Sequence, residues 1–171
     1  MADTDVPVEV RIGERLREAE QTLASAESCT GGLVGSLLTD VPGASDYFDR
    51  TYVTYSYDAK LDLGVSRESL DEYGAVSEPV VMEMARGIRD RAKTTWGVAT
   101  TGIAGPTGGT DDKPVGTVFI AVAYAGPWGS QESYTTADRM DFDGDRVEIK
   151  EQIARRALEM VVHELDQQAG Q

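Results

Sequence analysis

Val10, Ile12, Leu16, Ala19 and Leu23 return at close to helical spacing, which predicts a first helix over 7–20. Pro7 suits such a helix only in its first turn, where the backbone N–H has no intrahelical partner to lose. The pattern then changes. Residues 22–26 read as a short buried strand, and after Gly31-Gly32 a second helix is predicted over 33–39, closed by Val41-Pro42-Gly43. Residues 51–56 alternate and are rich in tyrosine, valine and threonine, which predicts a strand. Ser77-Glu78-Pro79 opens a long helix to about Lys93, with serine as the cap and proline in the first turn. Residues 96–101 and 115–124 are nearly continuous in apolar or small residues, as central strands are, whereas 131–136 has the polarity of an edge strand. Val147, Ile149, Ile153, Ala157, Met160, Val161 and Leu165 mark the inner side of a final helix.

Helices and strands interleave throughout, with no long linker and no internal repeat. The expectation is an α/β fold: one three-layer α/β/α domain over 1–171, its core at about 7–166, built on a mixed, mostly parallel sheet. The loop 102–116 is too long and glycine-rich for a plain connection and is expected to line a site.

Charge narrows the partners. Thirty acidic residues against sixteen basic ones give −14, only four of the basic residues are lysines, and asparagine is absent. This balance argues against binding nucleic acid or an anionic membrane. It points instead to salt adaptation, since the Debye length falls to roughly 3 Å at 1 M salt and self-repulsion fades. No apolar run is long enough to span a bilayer, the first ten residues are unlike a signal peptide, and the single cysteine, Cys29, suits a reducing compartment. A cytoplasmic protein is expected. The one histidine, His163, lies near the chain end, so a serine–histidine–aspartate triad has a single badly placed base, and histidine-rich metal sites are excluded by count.

Four segments carry candidate chemistry. In Ala26-Glu27-Ser28-Cys29-Thr30-Gly31-Gly32 a strand gives way to a glycine-opened helix, whose free N–H groups suit a phosphate or an oxyanion. Ser28 is then a candidate nucleophile, although Ser28 or Thr30 acting as a plain helix cap explains the local sequence as well. The glycines do not form a P-loop, since no Gly-Lys-Ser/Thr follows. Cys29 has no basic neighbour to activate it and reads as a small buried filler. In Thr54-Tyr55-Ser56-Tyr57-Asp58-Ala59-Lys60 the lysine is the best remaining base for a serine, provided its pKa falls from about 10.4 towards roughly 7–8. Lys60 reaching solvent beyond a strand end is the competing explanation, as is Tyr55 packing inward rather than sharing a proton path. Thr101, Gly102, Gly105 and their loop, with Lys113 beyond, suit close approach to phosphate, ribose or amide. In Phe142-Asp143-Gly144-Asp145-Arg146 the acidic residues fail the calcium-loop pattern. Asp145 reads as a helix cap, and Arg146 as a partner for a surface carboxylate or an anionic ligand.

Together AESCTGG at 26–32, VTYS with AK at 53–60, GAVSE at 74–78, TGIAGP with KPVGTV at 101–118 and GDR at 144–146 resemble the CinA C-terminal domain family, which includes nicotinamide-mononucleotide deamidases. The resemblance runs over about 16–165. It implies hydrolysis of the carboxamide of nicotinamide mononucleotide (NMN), in pyridine-nucleotide salvage, with Ser28 as nucleophile, Lys60 as its base and Tyr55 beside them. It further implies substrate contacts at Thr101, Gly102, Gly105 and Arg146, an oxyanion held by amides near Thr30, Gly31 and Gly32, no metal or other cofactor, and a homo-oligomer. Family members commonly carry asparagine where this chain has Tyr57. Longer members carry a separate N-terminal domain whose pyrophosphatase activity is not expected here. A nucleotide-binding, competence-associated regulatory module with little turnover is the alternative.

Overall fold

The computed structural model describes residues 5–171. Helix α1 (Val8–Glu18) begins just after Pro7, so the proline precedes the helix rather than entering it. Strand β1 (Leu23–Glu27) is buried along its whole length and leads into α2 (Leu33–Thr39). Strand β2 (Phe48–Val53) follows, then two short helices, α3 (Tyr57–Leu63) and α4 (Arg67–Tyr73), and the longer α5 (Glu78–Ala92). Strands β3 (Trp96–Gly102), β4 (Thr117–Tyr124) and β5 (Tyr134–Asp141) precede the last helix, α6 (Arg146–Ala169).

The sheet order is β2-β1-β3-β4-β5. β1 runs parallel to β2 and β3, while β4 is antiparallel to both β3 and β5, so β4 alone is reversed among the five. Helices cover both faces, giving the α/β/α layering.

The nearly continuous apolar runs of β3 and β4 conceal an alternation in side-chain size. Val98, Val118, Ile120 and Val122 face α1, α2 and α6. Ala99, Ala121 and Ala123, with Ala24 and Ala26 of β1, face α5. Successive side chains of a strand point to opposite faces, so large and small residues sort themselves by layer, with Phe119 at the start of β4 the large exception on the α5 face. The small face lets α5 approach closely. A β-carbon on Gly97 would lie 2.3 Å from the Ala85 carbonyl oxygen.

Four local expectations shift. β2 starts at Phe48 and stops at Val53, earlier than the predicted 51–56, because an edge strand tolerates the charged Asp49 and Arg50. β5 runs to Asp141 rather than ending near 136, for the same reason. Ser77 occupies the cap position of α5, yet its hydroxyl donates backwards to the Gly74 carbonyl (2.8 Å) and caps nothing. Lys60 does not trail from a strand into solvent. Ser56 accepts from the Ala59 N–H (3.1 Å) and starts α3, which carries Lys60 on its buried side.

The carboxyl ends of β1 and β3, the segment after β2 and the start of α6 therefore meet at one edge of the sheet. Ligand crevices of open α/β sheets lie at such edges.

Candidate active site

Ser28 is fixed by the chain on both sides. Its N–H donates to the Thr100 carbonyl (3.0 Å), which extends the β1–β3 pairing by one residue. Its own carbonyl accepts from the Gly31 N–H (3.2 Å), closing a turn. Gly31 and Gly32 have φ of +60° and +105°, a backbone region that glycine enters without strain. The N–H groups of the two central turn residues, Cys29 and Thr30, have no main-chain acceptor among the described residues.

The start of α2 is not open to a ligand, contrary to the expectation from sequence. Glu27, fully buried, turns its carboxylate into it. Oε1 accepts from the Thr30 hydroxyl (2.6 Å), Gly32 N–H (3.2 Å) and Val34 N–H (2.9 Å), and Oε2 accepts from Gly35 N–H (3.1 Å). A buried carboxylate is tolerable when its lone pairs are met by donors such as these. Thr30 also meets Thr100 Oγ1 at 2.8 Å, so its hydroxyl belongs to the scaffold. The amides of Gly31 and Gly32 are spent on Ser28 and Glu27, which removes them as anion donors. Those left for an oxyanion are the N–H groups of Cys29 and Thr30.

Lys60 is completely buried. Its Nζ lies 2.9 Å from Ser28 Oγ, 2.6 Å from the Thr54 carbonyl oxygen and 3.4 Å from that of Tyr55. No carboxylate pairs with it among the described residues. Burial without a counter-ion disfavours the ammonium and lowers the pKa to about 8. Cys29, beside the nucleophile, is buried too, and loss of solvent pushes its thiol up to about 12, leaving it a protonated filler.

A cavity of about 260 Å³ opens over this pair, lined by Ser28, Lys60, Tyr55, Thr101, Gly102, Gly105 and Arg146, with Ala75 and Val76. Thr30, Gly31 and Gly32 are not in its wall; they line a neighbouring cavity. Thr101 is buried and its hydroxyl donates to the Ala75 carbonyl (2.9 Å), tying β3 to the segment before α5. Tyr55 is 64% exposed rather than packed inward, and its phenolic oxygen accepts from Arg146 Nη2 (3.3 Å). That phenol bonds to neither Lys60 nor Ser28, so no proton relay through it is in place. Arg146 Nη1 donates to the Gly105 carbonyl (2.6 Å), and among the described residues no carboxylate holds the guanidinium. Asp145 caps α6 in a reciprocal box with Glu148, as expected, and aims Arg146 at the cavity. Tyr57 begins α3 and is exposed.

His163 lies 17 residues beyond Arg146 on the same helix, roughly 25 Å along its axis at 1.5 Å per residue, and takes no part in the site. Among the described residues no group of three or more His, Cys, Asp or Glu side chains is placed to hold a metal ion, and no helix is long and apolar enough to cross a membrane. Two features escape sequence reasoning: the Glu27 carboxylate and the two carbonyls at Lys60. An acidic residue directly before a glycine-opened helix is the one visible trace of the first. The second depends on the chain path and leaves no trace in residue type.

Comparison with known proteins agrees with this architecture. The family model for the CinA C-terminal domain matches residues 5–165. A CinA-like protein of Desulfosudis oleivorans is 54% identical over 134 residues, which is 78% of this chain and 32% of that protein. One from Salinibacter ruber is 50% identical over 156 residues, 91% of this chain and 36% of that protein. The chain thus spans about a third of the length of these curated relatives. The crystal structure of competence/damage inducible protein CihA from Agrobacterium tumefaciens matches with a TM-score of 0.86 at 39% identity, covering 93% of each chain. A CinA superfamily protein from Escherichia coli matches at 0.81 and 36%, covering 95% of this chain and 92% of that one. The strand order, the serine-bearing turn and a match over nearly the whole chain lead to one assignment: the protein belongs to the CinA C-terminal domain family.

Proposed function

We propose that this domain is a nicotinamide-nucleotide amidohydrolase, converting NMN to nicotinate mononucleotide and ammonia through a seryl acyl-enzyme. The observation that carries this is the threefold contact of Lys60 Nζ. The carbonyl oxygens of Thr54 and Tyr55 can only accept. A neutral amine therefore gives both its N–H groups to them and presents its lone pair to Ser28 Oγ. With a pKa of about 8, about one molecule in ten holds that form at pH 7.

Ser28 Oγ attacks the carboxamide carbon as Lys60 takes its proton, and the developing oxyanion meets the N–H groups of Cys29 and Thr30. Collapse breaks the C–N bond, and Lys60 returns the proton to the leaving nitrogen, which departs as ammonia. Water then attacks the acyl carbon, again losing a proton to Lys60, and that proton goes back to Ser28 Oγ as the acid is released. Tyr55 serves as a positioning residue, through its carbonyl on Lys60 and its phenol on Arg146. Thr101, Gly102 and Gly105 line the ribose side of the site, and Arg146 receives the phosphate.

Ammonia release from NMN tests this. The expected result is turnover in the wild type and none in Ser28→Ala or Lys60→Ala, with nucleotide binding kept in both. Nucleotide binding without ammonia release in the wild type would overturn the enzyme assignment in favour of a regulatory binding module.

A further inference from the structure

The cavity over Ser28 is short of positive charge. Its wall carries two basic side chains, Lys60 and Arg146, and the proposed chemistry needs Lys60 neutral. Arg146 already spends donors on Gly105 and Tyr55. A phosphate monoester brings about −1.5 to −2 charge at neutral pH, into a chain already at −14. The amides at the start of α2 are occupied by Glu27. At about 260 Å³ the cavity also falls below the roughly 300 Å³ at which ordinary ligand pockets begin.

A second cavity, of about 610 Å³, continues both of its walls. Thr30, Gly31 and Gly32 carry on the turn that starts at Ser28, and Val147 and Lys150 carry on α6 from Arg146. Lys150 stands four residues after Arg146, hence on the same helix face. It leans across to the turn: its Nζ is 3.9 Å from where a β-carbon of Gly31 would sit. Nearby carboxylates are engaged elsewhere, Glu151 with Arg155 (3.2 Å) and Glu148 with the Asp145 N–H (2.8 Å). Lys150 has no ion pair or hydrogen bond among the described residues.

We infer that Lys150 is a substrate-binding residue, that the nucleotide's phosphate lies between Arg146 and Lys150, and that the two neighbouring cavities act as one nucleotide site. The identity of the nucleotide rests on the function proposed above; the presence of a phosphate site does not. α6 thus supplies both cations, one turn apart, while the reacting groups stand in the turn after β1 and on α3.

Titration calorimetry of Ser28→Ala protein with NMN, with and without Lys150→Met, is the test. Lys150→Met is expected to weaken binding about tenfold, Lys150→Arg to restore most of it, and the dephosphorylated riboside to bind all three alike. Inorganic phosphate used as competitor should lose potency by a similar factor. Equal weakening for nucleotide and riboside, or none for the nucleotide, would overturn the site. In turnover, KM for NMN should rise about tenfold with kcat within about twofold. Absent ammonia release with Lys150-dependent binding removes the proposed reaction and keeps the site. Ammonia release with a KM indifferent to Lys150 keeps the reaction and removes the site.

Discussion

Lys60 and Ser28 are 32 residues apart in the chain, and their Nζ and Oγ atoms lie 2.9 Å apart. The contact is imposed by two well-defined ends. Ser56 starts the seven-residue α3 through its side chain, and Gly64, at φ +107°, stops it. Between them only one helical register is available, and it turns Lys60 inward while Tyr57, Asp58 and Asp62 face solvent. The lysine is thus held by the helix and by two carbonyls, with no ion pair among the described residues to secure its protonation.

That arrangement sets a pH dependence. kcat/KM for ammonia release should rise as pH passes about 8 and level off above it, because the neutral amine is the working base. A profile flat from pH 6 to 9.5 would remove Lys60 as that base.

The same residue should cost stability. The value in the folded protein lies below the ordinary 10.5, so the unfolded chain binds more protons between about 8 and 10.5, and this group's contribution improves as pH rises through that window. Lys60→Met is expected to abolish turnover and to stabilise the fold by about 1–2 kcal/mol at pH 7. Chemical denaturation at pH 7 and pH 10 checks both the sign and the narrowing of the gap.

Glu27 makes the opposite prediction. Removing its carboxylate leaves three N–H groups, those of Val34 and Gly35 buried, and a threonine hydroxyl without this acceptor. Glu27→Ala should lose about 3 kcal/mol, a fall in melting temperature of about 10 °C, along with correct presentation of Ser28. Thermal melts followed by circular dichroism measure the first, and ammonia release the second.

The charge of −14 should make stability depend on salt. The melting temperature is expected to rise steadily between about 0.05 M and 1 M salt as the Debye length shrinks. An unchanged melting temperature across that range would remove salt adaptation as the reason for the composition.

Much of this molecule can be read along the chain because its cues are local. α2 lies over 33–39 as its glycines and Val41-Pro42-Gly43 indicate, and Asp145 caps α6 as its spacing with Glu148 indicates. α3 and α4, seven residues each, are too short for a helical period to show, although Ser56 and Ser66 are ordinary caps that would have betrayed them. The Ser28–Lys60 contact follows from strand order, since β1 lies between β2 and β3 and brings the segment after β2 against the turn. Residue type could nominate the pair, but only the topology joins them. The role of Glu27 was hidden because a charged residue ending a buried strand ordinarily reads as the first exposed position of a loop.

By filling the head of α2 with its own carboxylate, the protein makes the geometry of its serine independent of whatever ligand arrives. A bound anion cannot pull that turn out of shape, since the turn offers it no unclaimed grip beyond two amides. Discrimination among ligands then falls to a different part of the chain. Exchanging one or two side chains on the opposing helix could redirect the fold to another amide while the attacking machinery stays untouched.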